Sequence, residues 1–208
     1  MSASTLPPPS LFRFGPLQIA YDGDLIRPRA WTIEQSRWAI ELHDAGLPDG
    51  EILELCAGVG HIGLVAARET GRRIVQVDDN DDACGFARLN ATAANVTSDV
   101  RCARMCVALR PDERFPLILA DPPYVPSDQV EDHPDDPGHA IDGGPDGLDL
   151  ARTCLDVAAA HLAPGGAVLL QLGGAHQARA LCDHAHQRGL TCIETREYAP
   201  DRALLLLR

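Results

Sequence analysis

Residues 51–78 read Glu51-Ile52-Leu53-Glu54-Leu55-Cys56-Ala57-Gly58-Val59-Gly60-His61-Ile62-Gly63, then a helix-like run to Arg73, then Ile74-Val75-Gln76-Val77-Asp78. A short apolar run, a turn rich in glycine, a helical run and a second apolar run closed by an acid form one strand–helix–strand unit. Glycines in such a turn let the backbone bend sharply and approach a ligand at a helix N-terminus. An unliganded βα turn carries the same glycines, so the acid is the stronger sign. Asp78 follows the second strand directly, about 20 residues beyond the turn, where nucleotide-binding folds place a carboxylate on ribose hydroxyls. Asp79, Asp81 and Asp82 share its acidic cluster, some of them as caps of the helix starting near Asp82.

The same alternation continues outward and predicts a parallel sheet. Strands are expected at Glu51–Leu55, Arg73–Asp78, Val100–Arg104, Leu117–Ala120 and Ala167–Leu172, and helices at Ile62–Glu69, Asp82–Ala94, Leu148–His161 and Ala175–Arg188. Thr191–Tyr198 and Ala203–Leu207 are strand-like but separated by too few residues for a helical crossover, so they should close the chain as an antiparallel hairpin. Upstream, Thr32 is expected to cap a helix that ends near Gly46 and Pro48. Trp31 and Trp38, seven residues apart, would share a face of that helix in the core, with a place in an acceptor pocket as the alternative. Leu11–Tyr21 reads as a short hairpin turned by Gly15 and Pro16, Asp22–Asp24 as a turn, and the first ten residues as a loose tail. The expected organisation is an N-terminal tail and hairpin over 1–30 and one domain over 31–208. Its fold class is α/β: a Rossmann-like, seven-stranded, mostly parallel sheet with helices on both faces.

Composition narrows the chemistry. The 208 residues carry a net charge of −12, and all 18 basic residues are arginine. Without lysine there is no Schiff base and no phosphate-loop ammonium. The negative charge works against sequence-independent binding to phosphate backbones, so nucleic acid is an unlikely partner. No apolar stretch reaches the ~20 residues that cross a bilayer, and a cytoplasmic protein without membrane attachment is expected. Seven scattered cysteines do not resemble a disulfide framework and suit a reducing compartment, most of them as small buried hydrophobes. Cys182, His184 and His186 lie at helical spacings that face apart, Cys102 and Cys106 fare no better, and no metal site is expected. His61 is placed either to line the cofactor pocket or to be exposed at the helix start.

The most specific stretch is Leu119-Ala120-Asp121-Pro122-Pro123-Tyr124, after the fourth core strand. Two prolines fix the backbone without NH groups of their own, which frees the Pro122 carbonyl for a substrate. Asp121 adds a side-chain acceptor. Together they can receive both hydrogens of an NH2 group, with the Tyr124 ring as a flat wall. A rigid turn with an Asp cap is the bland alternative. From Asp121 to Asp149 there are nine acidic residues and no arginine. Beside a site, such a segment would repel phosphates and suit a neutral or cationic acceptor.

The E-x-x-x-G-x-G pattern from Glu54 to Gly60, with the terminal hairpin, resembles class I S-adenosylmethionine-dependent methyltransferases. Asp-Pro-Pro-Tyr resembles the acceptor motif of their amino-group branch. With Val125-Pro126-Ser127, Ala140–Asp149, Leu162–Gly166 and Leu25–Thr32, the chain from about residue 25 onward is similar to HemK-type (release-factor glutamine) methyltransferases. That resemblance implies S-adenosyl-L-methionine as cofactor, contacts to it from Glu54, Cys56, Ala57, Gly58, Gly60, Asp78, Asp79 and Asp121, and acceptor chemistry at Asp121, Pro122 and Tyr124. The reaction it implies is methyl transfer to an amide or amino nitrogen of a protein side chain or small molecule. Alternatives are an N6-adenine methyltransferase or a degenerate fold serving as a binding subunit. The sequence departs from the family at Cys56, usually glycine; at Asp121, usually Asn; at Met105, where an acid often meets the adenine; and at Gln171, often Glu. The family's N-terminal helical domain has no counterpart in the first thirty residues. Nothing in the sequence indicates an oligomeric state.

Overall fold

In the computed structural model, which describes residues 9–22, 25–199 and 201–208, the strand and helix runs alternate as the sequence pattern requires. The order is β1 Ser10–Phe14, β2 Leu17–Tyr21, α1 Ile33–Asp44, β3 Ile52–Leu55, α2 His61–Thr70, β4 Ile74–Asp78, α3 Asp81–Ala94, β5 Ser98–Cys102, α4 Met105–Ala108, β6 Phe115–Ala120, α5 Gly138–Ile141, α6 Asp149–His161, β7 Leu162–Leu172, α7 Ala175–Gln187, β8 Cys192–Ala199 and β9 Arg202–Leu207. Short 3-10 turns occupy Ala30–Thr32 and Ser127–Asp132. Of the ten residues expected as a loose tail, 1–8 lie outside the described residues, as do Gly23 and Asp24 of the expected turn, while Ser10 already belongs to β1.

Seven strands form one sheet in the order β5-β4-β3-β6-β7-β9-β8. The first five are parallel, whereas β9 runs antiparallel to both β7 and β8. Strands covered on both faces of a sheet must be apolar throughout, and the last strand shows how. Leu204 and Leu206 pack on one side of the sheet and Leu205 and Leu207 on the other. The first side is covered by α1, α2 and the hairpin, through residues such as Trp38, Leu64, Phe14 and Ile19. The second is covered by α6 and α7, through Leu155, Ala158 and Leu181. The β1–β2 hairpin shares the first core and is fastened by the buried Asn90 side chain. That amide accepts from the Ala20 NH at 2.8 Å and donates to the carbonyls of Ala20 and Val59 at 2.9 and 3.0 Å.

Several local expectations change. Thr32 precedes α1 but caps nothing: residues 30–32 already form a 3-10 turn, and its hydroxyl donates to the Arg29 carbonyl at 2.9 Å. That turn also separates the tryptophans. Trp38 is buried on α1, whereas Trp31 lies before the helix, on a cavity wall. Helix α1 ends at Asp44, short of Gly46. Strand β5 begins and ends two residues earlier than expected, and β7 extends back to Leu162, which pairs with Phe115. The cap of α3 is Asn80, whose side chain accepts from the Ala83 NH, not one of the neighbouring aspartates. Cys182 on α7 and Cys192 on β8 form a disulfide, against the expectation of free thiols, because the tight return from α7 into β8 brings their Cα atoms to 6.0 Å.

Candidate active site

The sheet order reverses direction between β3, which continues to β4 on one side, and β6 on the other. In open α/β sheets the crevice outside the carboxyl ends of the strands at such a point is where ligands bind. A cavity of about 680 Å³ opens there. Its floor is the turn after β3, with Cys56, Ala57, Gly58 and Val59, together with Asp78, Asp79 and Asn80 after β4. Ala103 and Met105 form an apolar side wall. Asp121, Pro122, Pro123 and Tyr124 after β6 form the opposite side, with Arg29, Trp31, Thr32, Gln177 and Arg202 around them.

Gly58 has φ 53° and nothing within 4 Å of the position a Cβ would take, so its backbone presents open space to the cavity. Cys56 also has positive φ, at 54°, a conformation that favours glycine. Asp78 is tied into this floor: Gly58 NH donates to one of its oxygens at 2.7 Å and Asn80 NH to the other at 3.0 Å. Burial raises its pKa, and these two amides pull it back.

Glu54 and Gly60, expected to contact the cofactor, are not among the residues that line the cavity. Glu54 is buried behind the floor, where one oxygen accepts from Gly63 NH at 2.8 Å and the other from the Gln76 amide at 2.7 Å. Gln76 also donates to the Gly60 carbonyl and accepts from Ser98. A Cβ on Gly60 would sit 2.5 Å from the Gln76 nitrogen, and one on Gly63 would come within 2.8 Å of the Glu54 carboxyl carbon. These glycines therefore admit a buried polar brace under the turn. Burial pushes the Glu54 carboxyl up to about 7.

Asp121 faces the cavity from a part-buried position, and desolvation raises its carboxyl to about 7, with Arg202 opposing the shift. Tyr124 is positioned through its backbone: the Gln177 amide donates to the Tyr124 carbonyl at 2.9 Å, and the same side chain accepts from Gly173 NH at 2.7 Å. The glycine-rich stretch 141–147 runs beside the proline motif. Val125 NH bonds to the Ile141 carbonyl and Gly143 NH to the Val125 carbonyl. A Cβ on Gly143 would lie 2.7 Å from the Pro123 carbonyl oxygen, so the approach needs glycine.

His61 lines the cavity and is not exposed as one reading had it. Its ring packs edge-on against Phe14 at 4.7 Å, and burial lowers its pKa to about 4, so it is neutral. Because Thr32 spends its one proton on Arg29, it accepts from the His61 Nε2 at 3.3 Å. Met105 is on the wall, whereas Gln171 on β7 is fully buried away from the cavity and accepts from the Tyr198 hydroxyl. Among the described residues no three His, Cys, Asp or Glu side chains are grouped to hold a metal. His184 pairs with Asp156 at 2.7 Å instead.

Sequence reasoning missed Arg29, Gln177 and Arg202. Arg202 had a signal: an antiparallel β9 must begin at the edge of the sheet where the parallel strands end, so its first residue meets the site. Gln177 had none, being one polar residue on an amphipathic helix.

Residues 39–134 match the family model of the methyltransferase small domain. A release factor glutamine methyltransferase of Mycolicibacterium smegmatis is 31% identical over 193 residues, covering 88% of this chain and 66% of that protein. The chain spans between about half and two thirds of the length of the curated relatives it matches. Among solved structures, a methyltransferase from Pyrococcus furiosus superposes with a TM-score of 0.68 at 18% identity, covering 93% of this chain and 89% of that one. TYW2 of M. jannaschii, solved in complex with AdoMet, gives a TM-score of 0.63 at 13% identity, covering 98% and 85%. By sequence this chain has release factor glutamine methyltransferases among its relatives, and its fold is that of solved methyltransferases.

Proposed function

We propose that this chain is an S-adenosyl-L-methionine-dependent methyltransferase acting on an NH2 nitrogen, that of a glutamine-like side chain or a small amide. The observation that carries the reading is the placement of Asp121. A desolvated carboxyl next to two prolines faces, across one cavity, a floor built from Gly58 and Asp78. The floor suits the cofactor: Asp78 keeps lone pairs beyond those used by Gly58 and Asn80, enough for ribose hydroxyls, and Met105, Ala103 and Val77 supply an apolar wall for a purine. Open space over Gly58 leaves room for the amino-acid end. When bound, S-adenosylmethionine supplies a sulfonium methyl group activated for in-line displacement.

The protein's work is then to bind and orient. Asp121 and the Pro122 carbonyl accept the two NH2 hydrogens and turn the nitrogen lone pair toward the methyl group. Tyr124 and Trp31 exclude water. The relatives' name makes a release-factor glutamine the first protein acceptor to try. Nucleobases fit less well, because Asp132, Asp135, Asp136 and Asp146 line the same cavity and would repel phosphates. No helix among the described residues is long and apolar enough to cross a membrane.

Calorimetric titration with S-adenosylmethionine and S-adenosylhomocysteine tests the reading. One-to-one binding is expected, weakened at least tenfold in Asp78→Ala and nearly unchanged in Asp121→Ala, which should lose turnover. Absence of binding to either compound would sink the proposal in favour of a non-catalytic binding role.

A further inference from the structure

Arg202 is the cavity-lining cation nearest in role to Asp121, and nothing described so far uses it. Its position follows from topology. The first residue of β9 lies beside the end of β7, at the edge carrying the proline motif. There its guanidinium lies 4.7 Å from the centre of the Trp31 ring and 5.5 Å from that of Tyr124. Cation-on-ring packing of this kind restricts an arginine's orientation. Asp201 fixes one end: Nη1 meets its carboxylate at 2.8 Å and its carbonyl at 2.6 Å. The Nε is covered and has no partner among the described residues. No hydrogen bond from Nη2 to any described residue is formed, which leaves that nitrogen free to donate, and Arg202 lines the cavity. The other cation on the wall, Arg29, is paired with Asp136.

We propose that Arg202 is a specificity-determining residue that donates from Nη2 to an oxygen bonded to the same carbon as the accepting nitrogen, so the site selects a carboxamide over an amine. This rests on the methyltransferase reading and deepens it. A carboxamide has one face that donates and one that accepts. Asp121 and the Pro122 carbonyl are acceptors only, and Arg202 is a donor only. An alkylammonium has no acceptor for Arg202 and brings a second positive charge beside it. Without Arg202, an ionised Asp121 would also repel the carboxamide oxygen.

The test titrates the protein, saturated with S-adenosylhomocysteine, with two peptides that differ only in carrying glutamine or lysine at the central position. Charge-assisted hydrogen bonds of this kind correspond to about tenfold to a hundredfold in affinity. The wild type should bind the glutamine peptide at least tenfold more tightly. Arg202→Gln should erase the preference while holding S-adenosylhomocysteine within about twofold, and Arg202→Lys, which keeps charge but loses the planar fork, should fall between. Equal binding of both peptides by the wild type, no binding of the glutamine peptide, or a preference that survives in Arg202→Gln would overturn the role. Failure to bind S-adenosylhomocysteine at all would instead remove the methyltransferase reading beneath it. Thermal melting of each variant separates a folding defect from lost recognition, with Arg202→Lys as the less disruptive replacement.

Discussion

The same substitution in two helices should have opposite effects, and the difference tests the buried brace under the glycine turn. Gly63 lies in the first turn of α2 and Gly85 in α3, and neither has positive φ. Alanine in a helix interior is favoured over glycine by about 1 kcal/mol. At Gly85 a Cβ would meet nothing within 4 Å, so Gly85→Ala should gain about that amount. At Gly63 the new methyl group would overlap a Glu54 oxygen and Ile74 Cδ1, both buried, with no open side to move toward. Overpacking a core costs about 1–3 kcal/mol, and disturbing the buried hydrogen bonds of Glu54 adds about 1–3 kcal/mol. After subtracting the helix gain, Gly63→Ala should lose about 1–5 kcal/mol. For a chain of this size 1 kcal/mol moves Tm by about 2–4 °C. Thermal melts should therefore fall by about 2–20 °C for Gly63→Ala and rise by about 2–4 °C for Gly85→Ala. Urea midpoints should follow with unchanged slopes. If Gly63→Ala melts within about 2 °C of the wild type, the brace is not packed as described.

The Glu54 carboxyl binds its proton more tightly folded than unfolded. Its contribution is therefore complete below about 4.5 and lost as pH rises through about 7, roughly 3 kcal/mol in all. Glu54→Gln should flatten the fall of stability between pH 5 and 7 by up to about 1.4 kcal/mol per pH unit, measured by urea titration at each pH. An unchanged slope would contradict the assignment. At the site, the ionised Asp121 is the form that only accepts hydrogen bonds, so kcat/KM should drop as pH falls below about 7, and Asp121→Asn should lose that limb while keeping part of the rate. A wild-type profile flat from pH 5.5 to 8 would argue against it. Asn90→Ala removes three buried hydrogen bonds that hold the hairpin and should cost about 3 kcal/mol. Hydrogen exchange should show the Ala20 amide losing protection first, and loss spread evenly over the chain would refute a hairpin-specific role.

The sheet is legible in the sequence because its strands are buried on both faces, which makes runs such as Phe115–Ala120 and Arg202–Leu207 apolar at nearly every position. The proline motif is legible because proline at two successive positions leaves few backbone conformations. What escapes sequence reading depends on pairs brought together only by folding. Nothing local tells that Glu54 on β3 turns inward to Gln76, 22 residues on, while Asp78 at the end of β4 turns outward to the cavity. The Cys182–Cys192 bond and the placement of Trp31 likewise follow from a helix-to-strand return and a 3-10 turn, not from composition.

The charge pattern of the cavity follows from the one strand that breaks the parallel rule. Parallel strands deliver their carboxyl ends to the site, and here those ends carry Asp78 and Asp121. Five strands of one direction therefore build a cavity rich in acceptors and suited to hydroxyls, NH2 groups and positive charge. Reversing β9 brings a strand's first residue to the same edge, and with it Arg202. An aromatic shelf of Trp31 and Tyr124 keeps that cation flat and separate from Asp121, so the two opposite charges stay available instead of neutralising each other in a direct ion pair. A site with acceptors on one side and a fixed donor on the other matches a group that is itself divided that way, and replacing Arg202 should leave a cavity that still binds cofactor but no longer reads the acceptor's oxygen.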